Sequence, residues 1–151
     1  MNDVKKIEEV LQSEGILVST TVGVSMYPML RNRKDTIVVK PCEGRLKKYD
    51  VALYKSGGSY VLHRVLEVRS DSYVIRGDNC DRKEYGITDS QILGVLTSFY
   101  RGDKLVDMNG WKYKTYTRVC CALFPVLWCC RFVKRVTKKV CRIVARGVQK
   151  K

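Results

Sequence analysis

The sequence predicts a mostly β domain, a partly open barrel, with a short helix ahead of it and a basic helical tail behind it. Three observations predict this. β-branched runs recur between Gly-containing turns from Leu17 to Val106. A helical apolar stripe precedes them. Charge is also segregated along the chain. Of the net +14, residues 1–107 hold 17 Lys/Arg and all 15 Asp/Glu, whereas residues 108–151 hold 12 Lys/Arg and no acid. The chain therefore divides into a nearly neutral domain, 1–107, and a basic amphipathic tail, 108–151. At 151 residues, with 45% apolar content and three prolines, it can bury a core, which argues for a folded rather than a disordered chain.

Each element follows from its residues. Asp3 to Ser13 reads as a helix, with Val4, Ile7, Val10 and Leu11 on one face and Lys5, Lys6, Glu8 and Glu9 on the others. Asn2 or Asp3 can cap it, and Gly15 follows it. The run Ile16, Leu17, Val18, Val22, Val24 can form a strand, which Pro28 must break. Thr36–Lys40 is a β-branched strand, and Pro41–Tyr49 a loop. Asp50–Lys55 and Tyr60–Val68 form a hairpin through Ser56-Gly57-Gly58-Ser59. In the return strand Val61, His63, Val65 and Glu67 share one face. Tyr73–Arg76 is the next strand, Asp78–Asp89 is irregular, and Gln91–Tyr100 is a strand that turns at Arg101–Lys104 into Leu105-Val106.

The tail reads differently. Val119 to Cys130 is uncharged and interrupted by Pro125, too short for the ~20 residues of a spanning helix. Beyond it Val133, Val136, Val140, Ile143 and Val144 recur at helical spacing among lysines and arginines. Such a helix suits an anionic membrane surface, and Trp111, Trp128, Tyr113 and Tyr116 favour lipid. A solvated packing helix and a nucleic-acid arm are the other two readings, with nucleic acid ranked last. The seven cysteines, Cys42, Cys80, Cys120, Cys121, Cys129, Cys130 and Cys141, lack zinc-ligand spacing, so no metal or cofactor is expected. They read as buried thiols, which favours a reducing compartment. Met1 to Glu14 is charged and polar, unlike a secretory signal.

Chemistry is concentrated in two segments. Ser25, in Gly23-Val24-Ser25-Met26-Tyr27-Pro28, is expected at a strand end, rigidly held yet open to a substrate. A serine hydroxyl needs a base, and His63 is the only histidine. Together with Arg76-Gly77-Asp78-Asn79 and Ile92–Leu96, these segments resemble the type I signal peptidase family. The Ser-Met-x-Pro pattern is similar to its nucleophile box. The His-Arg strand and the Arg-Gly-Asp-Asn box are similar to its endoplasmic-reticulum-type branch, which pairs serine with histidine. The resemblance covers Leu17 to Arg101. Self-cleaving phage and SOS repressors share the fold type, but with a lysine base.

The resemblance implies a serine endopeptidase that cleaves a peptide or protein precursor after small residues, the extended substrate lying beside an edge strand. Ser25 would be the nucleophile, His63 the general base and Asp78 the orienting acid, with Glu84 or Asp81 as alternatives. The Ser25 backbone N–H would serve the oxyanion; Gly23 stands where bacterial members carry a second hydroxyl. The family's usual spanning helix before the nucleophile strand is not matched here. The expected location is therefore the membrane surface, through the tail and on the cytoplasmic face, or the cytoplasm. A catalytically weak binding protein of the same fold, or a nucleic-acid-associated protein acting through its tail, are the competing functions.

Overall fold

The computed structural model describes residues 7–126 together with Cys129 and Thr137. Helix α1 (Ile7–Glu14) leads into β1 (Leu17–Thr20), β2 (Asp35–Lys40), β3 (Val51–Ser56), β4 (Ser59–Val68), β5 (Tyr73–Arg76), β6 (Glu84–Ile87), β7 (Ile92–Arg101) and β8 (Lys104–Val106). A final helix, α2, covers residues 111–126. The strands form one antiparallel sheet in the order β1-β2-β7-β3-β4-β5-β6, with β8 paired to β7. The protein is mostly β, and this sheet curls into a half-barrel. The chain divides into compact units Met1–Thr117 and Arg118–Lys151, where the charge pattern had put the division after Asp107. The first turns of α2 fall in the first unit because Tyr113 and Thr117 are bonded to its buried Arg64.

Local chemistry explains the elements. Helix α1 buries Leu11 and packs Ile7 and Val10 on the core. It ends where Gly15, at φ 66, returns its N–H to the Leu11 carbonyl. The β3–β4 hairpin turns through Gly57 and Gly58, both at positive φ, as a two-residue turn requires. Strand β3 has partners on both sides and is buried on both faces, which is why Val-Ala-Leu-Tyr is apolar without alternation. Val51 and Leu53 enter one core cluster, with Met26, Met29 and Leu30; Ala52 and Tyr54 enter the other, with Val65 and Ile75.

Two expectations are corrected. Strand β4 carries a register shift between Val65 and Glu67, so Val65 pairs Ile75 and Glu67 pairs the adjacent Val74. One extra residue reverses the alternation, and the face shared by His63 and Val65 does not reach Glu67. The stretch Asp78–Asp89, expected to be irregular, contains β6 and is followed by a 3₁₀ turn, Asp89–Gln91. The stripe expected at Val133 to Val144, and Trp128, lie outside the described residues. Among the described residues no helix is long and apolar enough to cross a membrane.

Candidate functional site

Strand β1 ends at Thr20, and Ser25 sits in the turn that follows rather than at the strand end. Val22 and Val24 prolong the apolar run in sequence but are exposed and outside the sheet. The turn is held from below by Met26, Met29 and Leu30, which are buried in the core. Its backbone is pinned at several points. Gly23 donates its N–H to Asn32 Oδ1 (2.9 Å), and Arg101 Nη2 donates to the Met29 carbonyl (2.8 Å). Past the turn, Arg31 donates from its backbone and its guanidinium to the fully buried Asp35 carboxylate. Asn79 clamps the serine itself. Its N–H donates to the Ser25 carbonyl (2.7 Å) and its side-chain amide to the Val24 carbonyl (3.0 Å). The Arg76–Asn79 box is thus bonded directly to the Ser25 turn.

His63 lies on β4 opposite Ala52 and is 8% exposed. Both of its hydrogen bonds are made at Nδ1, to Glu84 Oε1 (2.8 Å) and the Tyr54 hydroxyl (3.2 Å). A carboxylate can only accept, so Nδ1 carries the proton and the neutral ring keeps a lone pair on Nε2. Burial, and then the Glu84 carboxylate, push the Tyr54 phenol up, so it stays protonated beside the pair. Nε2 faces the Ser25 turn. A Cβ placed on Gly77 would lie 2.6 Å from the Ser25 carbonyl oxygen, 2.8 Å from Cys80 Sγ and 2.9 Å from His63 Nε2. Only a glycine lets the chain leaving β5 pass this close to both segments.

The three candidate acids separate cleanly. Asp78, expected to orient the imidazole, is instead committed to Arg64. Its carboxylate takes two hydrogen bonds from the guanidinium Nε and Nη2, each 2.8 Å. Arg64 is fully buried and reaches Tyr49, Tyr113 and Met29 Sδ with its remaining donors. Burial opposes its charge, but Asp78 outweighs that and holds the guanidinium firmly protonated. Adjacent residues on a strand point to opposite faces, so an acid that serves Arg64 is turned away from His63. Glu84, not Asp81, supplies the carboxylate on the ring. Three contributors escaped the sequence reading: Tyr54 on Nδ1, Asn79 as the clamp and Gly77 as the point of close approach. Gly77 and Asn79 belong to the matched box, but nothing local to them states what they touch.

A groove of about 350 Å³ runs from Ser25 between the chain at Ser19–Gly23 and the β4 residues Tyr60–Leu62. Its floor is apolar, with Leu17, Met26, Ile37 and Leu53. Thr21 lines it too, and its buried hydroxyl has no hydrogen-bond partner. No protein-family model and no curated protein matches this chain. Among the described residues no three His, Cys, Asp or Glu side chains converge on a metal-sized site. The arrangement offers a hydroxyl on a rigid turn, an imidazole with its free nitrogen toward that turn, a carboxylate behind the imidazole, and an apolar groove alongside.

Proposed function

We propose that this protein is a serine endopeptidase of the signal peptidase type, in which Ser25 attacks the scissile carbonyl and His63 takes its proton. The observation that carries this is the imidazole, whose Nδ1 meets Glu84 at 2.8 Å while Nε2 faces the Ser25 turn. In this reading Glu84 orients the ring and stabilises its charged form, and His63 later protonates the leaving amine. Tyr54, on Nδ1 beside Glu84, is a positioning group. The hydroxyl and Nε2 are not hydrogen-bonded in the free protein; such contacts commonly tighten only when substrate excludes water. The Ser25 N–H would face the oxyanion, and the unpartnered Thr21 hydroxyl is a second donor in the groove. The Gly23 N–H, held by Asn32, is not available for that role.

The substrate in this proposal is an extended precursor peptide with small side chains before the cleaved bond. The narrow apolar groove supports this: small side chains fit it, and β1, an edge of the sheet, leaves backbone groups for an added strand. Assayed on such a peptide, Ser25→Ala and His63→Ala are each expected to abolish cleavage, and the double variant to do no more. Cleavage is expected to fall as acid protonates the imidazole. A parent protein that binds the peptide without cutting it would favour a binding role for the same site. Variants that cleave as fast as the parent would refute the dyad.

A further inference from the structure

We propose a second site, independent of the peptidase reading: a cleft that binds an anionic phospholipid of a bilayer. The cleft, about 570 Å³, lies between β7–β8 and the start of α2, on the far side of the Ser25 turn, where Pro28 and Met29 reach it. That volume is typical of ligand pockets, ~300–1,000 Å³. Phe99, Val106 and Tyr116 give it an apolar interior. Trp111 stands at its mouth, 72% exposed, with Leu105 also exposed beside it. An indole left in water next to an apolar cleft is the arrangement that suits a membrane interface, wet at one end and greasy at the other.

Charge decides the occupant. Lys104 and Lys112 line the cleft as exposed ammonium groups, with Arg101 beside them. The acid in the lining, Asp107, accepts the Asn109 N–H (2.8 Å) and is turned into its own loop. Arg101 is spent on the Met29 carbonyl, which leaves Lys104 and Lys112, the latter's ammonium 5.8 Å from the centre of the Trp111 ring, as the cations at the cleft. A cationic rim repels the chain's own basic tail. Nucleic acid would satisfy the rim but has nothing to fill the apolar interior. A phospholipid supplies both, a phosphate for Lys104 and Lys112 and an acyl chain for the space between Phe99 and Tyr116.

The test uses the full chain with Trp128→Phe, so that Trp111 is the only indole. Phosphatidylcholine vesicles with and without phosphatidylglycerol are doped with brominated acyl chains, and total attachment is followed by sedimentation. Trp111 emission should be quenched only by the anionic vesicles. Lys104→Ala/Lys112→Ala should raise the lipid concentration for half-quenching by about 30-fold at low salt. Three results would each overturn the site: vesicles that bind the chain through its tail while Trp111 stays unquenched, an unchanged half-point in the double variant, or no binding at all.

Discussion

His63 and Arg64 are neighbours on β4, point to opposite faces of the sheet, and each meets a carboxylate at 2.8 Å. The surroundings of the two pairs differ. Arg64 and Asp78 have side chains 0% and 5% exposed, while Glu84 beside His63 is 34% exposed. The sealed pair is bidentate and knitted to Tyr49, Tyr113 and Met29. The other pair is reached by water through Glu84 and holds a neutral-capable donor–acceptor ring in place of a guanidinium. One strand thus carries a sealed ion pair on one face and a partly hydrated histidine–carboxylate pair on the other. Burial, rather than residue type, assigns the roles.

The largest expected effect separates the pairs by activity. Glu84→Ala should lower kcat by about 10⁴-fold, since an imidazole without its carboxylate loses its tautomer and orientation. Its stability should change little, because a partly exposed pair contributes at most ~1 kcal/mol. Asp78→Ala should do the reverse. It strands a buried guanidinium and should cost about 3–5 kcal/mol in urea unfolding. Peptide cleavage and denaturant midpoints measured on both variants decide this. Equal effects of both variants on both quantities would dissolve the distinction.

Gly77→Ala comes next, because it strikes where the two faces meet. Its methyl would press on the Ser25 carbonyl, a backbone atom that cannot swing away. A loss of about 1–3 kcal/mol is expected, with cleavage reduced as the turn shifts from His63. Unfolding and kinetics of that one variant check it. The smallest effect belongs to a third ion pair, Glu8–Lys55, at the surface. Glu8 receives the Tyr60 hydroxyl and Lys55 Nζ (2.9 Å), and these hold its carboxyl down to about 2 from an ordinary 4.5. A lowered carboxyl stabilises the fold above its unfolded value, and that contribution is lost as pH falls toward about 2. Glu8→Gln should therefore lie slightly below the parent at neutral pH and converge with it in acid, as thermal unfolding across pH would record.

Much of this fold is legible locally. The Gly57-Gly58 hairpin, the helix stopped by Gly15, and the strands Thr36–Lys40 and Tyr73–Arg76 follow from turn chemistry and β-branched runs. Strand β6 was hidden because Glu-Tyr-Gly-Ile is short and has Gly86 at φ 73 inside it. The shift after Val65 was hidden because an extra residue in a ladder leaves no mark on composition. Val22 and Val24 misled for the opposite reason: apolar residues suggested a strand where the chain has turned away. The site divides the same way. Ser25 and His63 are readable as residue types that need each other. Which carboxylate serves the imidazole is set by the face of β4 and the path of the chain from Gly77 to Glu84, and spacing alone does not encode that.

The central claim, that Glu84 sets His63 to receive a proton at Nε2, can be observed directly because this chain has a single histidine. Nitrogen-15 NMR of the neutral ring reports which nitrogen carries the proton. The Nδ1–H form is expected, with Nε2 unprotonated, and Glu84→Ala should mix the two tautomers. A parent protein with its proton on Nε2 would leave no base facing Ser25 and would contradict the account.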